Sequence, residues 1–279
     1  MQPNSPSYNY PIVILSYNHP DLTQKTVESV LQLGFPASQV YLVHNGSLPK
    51  HQKQLSEQFS QIHHLIYETN LGFTGGANRG LHTVFQKYQQ AFFLTNDTLL
   101  IALPEEFPEP IDLLAPLIWR RQSDEVDSLM GALHIKTGQL RHLKNISTLQ
   151  SSVEIAYVPG TAFGLTKKCY DTLGGFDERF HTYWEDVDFS LRAHQANLQV
   201  QHSPLFQLRH KIGKTCHKDR FYTLYLFQRN RRRLMKKHHL LGLRFWFQYS
   251  LDLSKLFFKI MQRKDRQTSW TYWWRAITE

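Results

Sequence analysis

A chain of 279 residues, 41% hydrophobic and 20% charged, is long enough for one large domain or a domain with an appendage, and its composition is ordinary for a globular protein. Its two cysteines, Cys169 and Cys216, exclude a disulfide framework and a zinc ribbon and fit a reducing compartment; residues 1–9 are polar and do not read as a signal peptide, and no apolar run of about 18 residues exists to span a bilayer. The net charge of +9 is uneven, because residues 211–279 hold 17 Lys and Arg against 4 Asp and Glu, so the basic character belongs to the C-terminal quarter.

Residues 11–16 (Pro-Ile-Val-Ile-Leu-Ser) are short, apolar and rich in β-branched side chains, which predicts a buried strand. Asn18-His19-Pro20-Asp21 stops it and starts a helix, with Pro20 suited to the first turn and Leu22, Thr26, Val30 and Leu33 at helical spacing. Residues 40–43 are a second strand, closed by the turn His44-Asn45-Gly46-Ser47. A polar helix over 50–59 and a third strand over 62–67 follow. Residues 70–80 then place four glycines at a strand-to-helix turn, where backbone N–H groups and a helix N-terminus can face a phosphate. The spacing is neither the dinucleotide nor the P-loop pattern, and a purely structural turn explains this stretch equally well. Residues 91–95 are the fourth strand. They end in Asn96-Asp97-Thr98, which puts Asp97 where open α/β sheets bind ligands, although a strand-end Asp can also serve as a turn former.

Pro104, Pro108, Pro110 and Pro116 break residues 101–156, where 113–119, 128–135 and 154–158 read as strands or edges and 118–127 as charged surface. After Pro159-Gly160-Thr161 come an apolar run, 162–166, and a short helix, 167–173, closed by Gly174-Gly175. The stretch 174–193 mixes carboxylates with aromatics. A helix starting near Glu185 puts Glu185, Asp188 and Arg192 on one face and Asp186 on another. Acids favour a helix's first turn, yet three carboxylates beside Tyr183 and Trp184 also suit a general base, because an aromatic wall raises a carboxylate's proton affinity. Residues 198–200 and 204–208 are late strands. His210-Lys-Ile-Gly-Lys-Thr215 follows, and a histidine flanked by lysines and a glycine can hold a diphosphate or its metal; a lone histidine is more often a surface residue. Residues 218–279 have a helical pattern, in which Phe245, Trp246, Tyr249, Leu253, Leu256, Phe257 and Ile260 gather near one face, and Trp270, Trp273 and Trp274 lie close to Arg275. Two readings stay open: a basic amphipathic helix on an anionic membrane surface, or a helix packing its aromatics on the preceding domain.

From about Ile12 to Met235 the chain resembles the family 2 glycosyltransferases of the GT-A fold, and among them the bacterial rhamnosyltransferase-like branch. The residues that carry the resemblance are 13–18, Asn45-Gly46-Ser47, residues 70–80 as Asn-x-Gly-x-x-x-Gly-x-Asn-x-Gly, Asn96-Asp97, Gly174-Gly-Phe-Asp-Glu178, Glu185-Asp-Val-Asp188, His210-x-x-Gly-x-Thr215, and Tyr222 to Asn230. The resemblance implies an α/β fold with a GT-A-type, Rossmann-like mixed sheet flanked by helices and a C-terminal helical extension. Residues 1–100 are then the nucleotide-sugar-binding half, 101–215 the acceptor-binding half of the same domain, and 216–279 a basic, aromatic helical tail.

It further implies an inverting hexosyltransferase that moves a sugar, rhamnose as first expectation, from a dTDP- or UDP-sugar to a glycan or lipid-linked glycan acceptor in surface polysaccharide synthesis. Its expected place is cytoplasmic or peripheral on the inner face of the plasma membrane. Asp186 is the implied base, with Trp184, Glu185 and Asp188 supporting the acceptor side. Asp97 and His210 are the implied ligands of Mg²⁺ or Mn²⁺. The implied donor contacts are Ser16, Asn18, His44, Asn45, Asn70, Gly72, Gly75, Gly76, Asn78, Arg79, Asn96, Lys214 and Thr215. His44 stands where the family usually has an acid, and the metal motif has a single carboxylate, with Thr98 and Leu99 after Asp97. Two other classes are weighed. A non-catalytic nucleic-acid-binding protein could use the basic, aromatic tail, but the motif-bearing region lies outside that charge and its carboxylates repel phosphates, so no nucleic-acid partner is expected. A nucleotidyltransferase would want a Gly-rich loop directly after the first strand, where residues 16–21 contain no glycine.

Overall fold

The apolar run at the start becomes β1 (Ile12–Ser16), every residue of which is buried. Its side chains alternate between two cores: Ile12 and Ile14 pack with Phe92, Leu94 and Phe206, while Val13 and Leu15 pack with Phe93, Phe163 and Phe189. A strand covered on both faces has no polar alternation, and for that reason it reads so plainly in the sequence. Asn18 and His19 take left-handed conformations, φ 52° and 53°, and turn the chain into α1 (Pro20–Gln32). There follow β2 (Val40–Asn45), α2 (Pro49–Gln58), β3 (His63–Tyr67), α3 (Gly72–Val84) and β4 (Gln90–Thr95). β1, β2, β3 and β4 are parallel, in the order β3-β2-β1-β4. The computed structural model describes residues 8–210, 220–261 and 267–278.

Of the four glycines in residues 70–80, Gly72 opens α3 with φ 72°, as the expected strand-to-helix turn requires. Gly75, Gly76 and Gly80 lie inside the helix, where their need is close packing. A Cβ on Gly76 would sit 2.6 Å from Leu15 Cδ1, and one on Gly80 would sit 2.7 Å from Val13 Cγ1. Only a bare backbone lets this helix approach the sheet so closely.

The chain then runs through β5 (Thr98–Ala102), β6 (Leu113–Arg120), β7 (Val126–Ser128), β8 (Met130–His134), β9 (Gln139–Leu143), β10 (Glu154–Tyr157), β11 (Ala162–Thr166), α4 (Lys167–Leu173), α5 (Glu185–Gln195) and β12 (Val200–His210). The main sheet has the order β3-β2-β1-β4-β11-β6-β12-β5, with β7 paired to β6, and β10-β8-β9 form a separate small sheet. β11 is antiparallel to both β4 and β6, so the sheet is mixed. The two expected late strands are one, β12. Its pairing with β6 shifts register between Ser203 and Gln207, around Pro204, which has no N–H to donate. Residues 118–127 are not simply charged surface, since they contain the end of β6 and the start of β7.

The C-terminal part is α6 (Arg220–Lys237), α7 (Leu243–Met261) and α8 (Gln267–Thr278). α6 and α7 are built into the core. Leu234, Met235, Phe245 and Tyr249 join Phe180, Trp184, Val187 and Leu191 in one buried cluster. Most of the aromatic face expected on residues 240–261 therefore packs inward, Trp246 being 42% exposed, and so do Trp270 and Trp273, whose rings stand 5.2 and 5.4 Å from that of Phe257. Among the described residues no helix is long and apolar enough to cross a membrane.

Candidate active site

A cleft of about 700 Å³ opens at the carboxyl ends of β1, β2 and β4, the place where open α/β sheets leave room for ligands. Its lining includes Leu15, Tyr17, Asn18, His19, Asp21, Asn45, Leu48, His51, Asn70, Gly72, Phe73, Thr95, Asn96, His181, Thr182 and Tyr183. The amides in this wall are hubs. Asn45 Oδ1 accepts from Leu71 N at 3.0 Å, and its Nδ2 donates to Gly72 O at 2.8 Å. Asn18 accepts from Leu48 N on its side chain and donates from its backbone to Ser47 Oγ. Asn96 Nδ2 donates to Thr23 Oγ1 at 2.9 Å. These bonds fix three loops around the opening while one face of each residue still borders it.

Of the residues expected to touch the donor, Asn18, Asn45, Asn70, Gly72 and Asn96 line the cleft, whereas Ser16, His44, Gly75, Gly76, Asn78 and Arg79 do not. Ser16 is fully buried with its hydroxyl 2.8 Å from Thr23 Oγ1. His44 is fully buried with Nε2 2.9 Å from His64 Nδ1. Burial, helped by the neighbouring His64, pulls the His44 pKa down to about 4, which keeps the imidazole neutral. Asn78 joins two motifs: its Oδ1 accepts from Phe176 N at 2.8 Å, and its Nδ2 donates to Phe176 O at 2.9 Å. Lys214 and Thr215 lie outside the described residues.

Asp97 and His210 meet. β12 pairs antiparallel with β5, opposing His210 to Thr98, and His210 Nε2 stands 3.5 Å from Asp97 Oδ2. Thr95 Oγ1 lies 2.8 Å from the other oxygen, Asp97 Oδ1. One carboxylate oxygen and one imidazole nitrogen facing each other suit a divalent cation. Among the described residues no group of three His, Cys, Asp or Glu is assembled for a metal, so Asp97 and His210 are by themselves at most two candidate ligands.

Asp186 lies at the start of α5 and is the only partly exposed member of the acidic trio; Glu185 is 5% exposed and Asp188 fully buried. Its Oδ2 accepts from Gly160 N at 2.9 Å and its Oδ1 from Val187 N at 2.8 Å. Burial raises its proton affinity, and those N–H groups work against the rise. The segment holding it also holds Thr95, the hydroxyl partner of Asp97, since Thr95 N donates to Thr161 O at 3.0 Å. Phe73, in the cleft wall, borders Gly160 closely. Asp186 and Asp97 are thus fixed from one three-residue turn, 159–161.

The other two acids divide the expected helix-start network. Burial alone would raise Asp188, but His238, Arg192 and Lys237 outweigh it and hold its carboxyl below the usual range, with contacts of 2.9, 2.8 and 2.7 Å. Glu185 takes no part in this network, contrary to the expected sharing of one charged face. Its Oε2 is buried without a hydrogen-bond partner among the described residues, and burial, then the charge of Asp186, pushes its pKa far up. A raised carboxyl makes the folded state hold a proton that the unfolded chain releases, so stability is lost as pH rises above the unfolded value of about 4.3. Glu185→Gln keeps the shape and removes the charge. Its Tm is expected to exceed the wild type by roughly 2–4 °C at pH 7.5, with the gap closing towards pH 4; equal melting at both values would show that the carboxylate has a compensating partner. Trp184 is 2% exposed and packs on Phe227 at 5.1 Å, so its ring presents no open wall to an acceptor.

Residues to which the sequence assigned no donor, metal or catalytic role also belong to the site. His19, His51 and His181 line the cleft with no local pattern to mark them, and Tyr183, expected as part of an aromatic wall, lines it too. Gly72, with φ 72°, makes room for His181, which a Cβ would strike. Asn230, fully buried on α6, places Nδ2 within 2.8–2.9 Å of the carbonyls of Phe180, Thr182 and Tyr183; the resemblance across Tyr222 to Asn230 was the one signal pointing to it.

Residues 12–100 match the family described as glycosyl transferase family 2. No curated protein matches the chain in sequence. Among solved structures, GalNAc-T7 with UDP, GalNAc and Mn²⁺ aligns at a TM-score of 0.60 with 14% identity, covering 82% of this chain and 48% of that one, so the chain spans about half of that relative. The mannosyltransferase PcManGT from Pyrobaculum calidifontis, in complex with GDP-Man and Mn²⁺, aligns at 0.53 with 12% identity over 97% of this chain and 85% of that one. S. aureus TarS 1-349 aligns at 0.54 with 12% identity over 97% and 81%. The chain has the GT-A fold, and the parallel half that builds the floor of its cleft, residues 12–100, matches glycosyl transferase family 2.

Proposed function

We propose that the chain is a metal-dependent, inverting glycosyltransferase that moves a sugar from a nucleotide-sugar to an acceptor hydroxyl. The observation that carries this reading is the meeting of Asp97 with His210 beside the cleft, tied through Thr95 and the turn 159–161 to Asp186. The relatives that contain UDP or GDP-Man support the donor class. The donor to test first is dTDP-rhamnose, followed by UDP-sugars, with a lipid-linked glycan of surface polysaccharide synthesis at the cytoplasmic membrane face as acceptor. These finer choices rest on the branch-like motifs around His210 and Asn230.

In this mechanism Asp186 takes the proton of the acceptor hydroxyl as its oxygen bonds to the anomeric carbon. The bond to the nucleoside diphosphate breaks on the opposite face, so one displacement inverts the centre. Gly160 N–H and Val187 N–H hold the two carboxylate oxygens in place, and the cleft wall orients the donor. Asp97 and His210 would hold the cation, which when bound supplies positive charge beside the departing diphosphate.

A thermal-shift panel of dTDP-, UDP- and GDP-sugars tests the donor, because a ligand that binds the folded state raises Tm by mass action. Release of sugar from the donor tests the chemistry. Turnover is expected to stop on chelation and return with Mn²⁺ or Mg²⁺. The Tm rise given by the nucleotide-sugar is expected to need the cation and to be lost in Asp97→Ala. Full activity in excess chelator would remove the metal from the mechanism.

A further inference from the structure

α7 has a second apolar side that the core does not use. At about 100° per residue, Phe245, Tyr249, Leu256 and Ile260 face inward and are buried. Leu243, Phe247, Leu251, Phe258 and Met261 fall together on the far side, in a stripe about 80° wide, and are 90, 70, 42, 64 and 40% exposed. The stripe runs the full 19-residue helix, about 27 Å. Single exposed apolar side chains need no explanation, but five aligned on one face, interrupted only by the exposed Ser254, do. Arg244, Lys255 and Lys259, all exposed, follow one flank. The helix's one acid, Asp252, is turned toward α6, where one oxygen pairs with the buried Arg231 at 2.8 Å; its other oxygen stands 3.7 Å from Lys255 Nζ, one turn away at the edge of the flank, and among the described residues no acid of the helix pairs with Arg244 or Lys259.

We infer that α7 lies in the plane of an anionic phospholipid surface, with the stripe among the acyl chains and Arg244, Lys255 and Lys259 on the headgroup phosphates. A row of apolar side chains edged by cations and by no outward carboxylate is complementary to such a surface. It is not self-complementary. A two-fold pairing of this face would set the same basic flank near itself with no acid between. The inference stands on α7 alone and does not need the transferase reading, to which it adds a way of presenting the cleft to a lipid-linked acceptor.

The test is co-sedimentation of the full chain with vesicles of phosphatidylcholine alone and of phosphatidylcholine with phosphatidylglycerol. Binding is expected to the second kind only, and to weaken with salt. Lys255→Glu with Lys259→Glu should lower partitioning by at least about 25-fold, since each basic residue is worth about fivefold at such a surface. Phe247→Glu with Phe258→Glu should abolish binding, and as both rings are exposed, Tm and the donor-induced Tm shift should stay at wild-type values. Binding to both vesicles alike, or to neither, overturns the inference. So does a dimer in sedimentation velocity that Phe247→Glu with Phe258→Glu dissolves, which would assign the stripe to a second copy. Donor binding without vesicle binding, or the reverse, separates failure here from failure of the transferase reading.

Discussion

Asp186→Asn is expected to leave the fold and donor binding in place and to lower transfer by roughly 10²–10⁴-fold, the range for a lost general base. The three adjacent acids differ in burial and partners, and those differences favour Asp186. Asp188 is fully buried and held by Arg192, Lys237 and His238, so its charge is already matched. Glu185 is 5% exposed, with no visible path to an acceptor. Asp186 is partly exposed, borders the turn that backs the cleft, and has its proton affinity raised by burial. The substitution is not free of structural cost. Both oxygens of Asp186 accept from backbone N–H groups, and an amide can accept at only one of the two positions, so a stability loss of about 1 kcal/mol is expected. Rates are therefore compared well below the melting range. Wild-type transfer by Asp186→Asn, with the product still inverted, would show that the base lies elsewhere.

What could be read from the sequence follows from where the information is local. β1, β2 and β4 are legible because burial on both faces leaves uninterrupted apolar runs. α4 is legible at both ends because Thr166 caps it and Gly174 closes it in the left-handed conformation. β9, Gln-Leu-Arg-His-Leu, is not legible, since an edge strand of a small sheet is mostly polar. β12 reads as two strands because Pro204 interrupts its ladder without ending it. The meeting of Asp97 with His210 depends on the pairing of β5 with β12, a long-range register that no local period contains; only the resemblance linked them. The amides show a different limit. The residue type marks Asn45, Asn78 and Asn96 as hydrogen-bonding, but not whether the partner is a ligand or a neighbouring loop, and in each case the structure supplies a loop. The basic run 229–233 likewise conceals Asn230 and Arg231, which are 0 and 3% exposed.

Asn230→Ala is expected to lower both stability and turnover, because Asn230 keeps a strained loop in shape. His181, Tyr183 and Trp184 all have positive φ, 62°, 68° and 74°, a conformation costing a residue with a side chain about 1 kcal/mol or more. That strain persists only where the surroundings impose it. Here the Asn230 amide donates among three carbonyls of the loop, and Arg229 Nε lies 3.1 Å from its Oδ1. The loop lines the cleft with residues 181–183 and leads directly into Glu185 and Asp186. Removing the amide leaves buried carbonyls unpaired, at about 1–3 kcal/mol for each one that finds no other donor. Asn230→Asp should be worse than Ala, since an ionised carboxylate has no donor and would face the same oxygens. Displacement of Asp186 by about 1 Å is enough to lower kcat by about 10²-fold. Assays run well below the melting range of every variant separate the two effects: loss of folded protein disappears there, whereas loss of loop geometry does not. Wild-type kcat for Asn230→Ala under those conditions would confine Asn230 to stability and show that residues 180–184 keep their conformation without it.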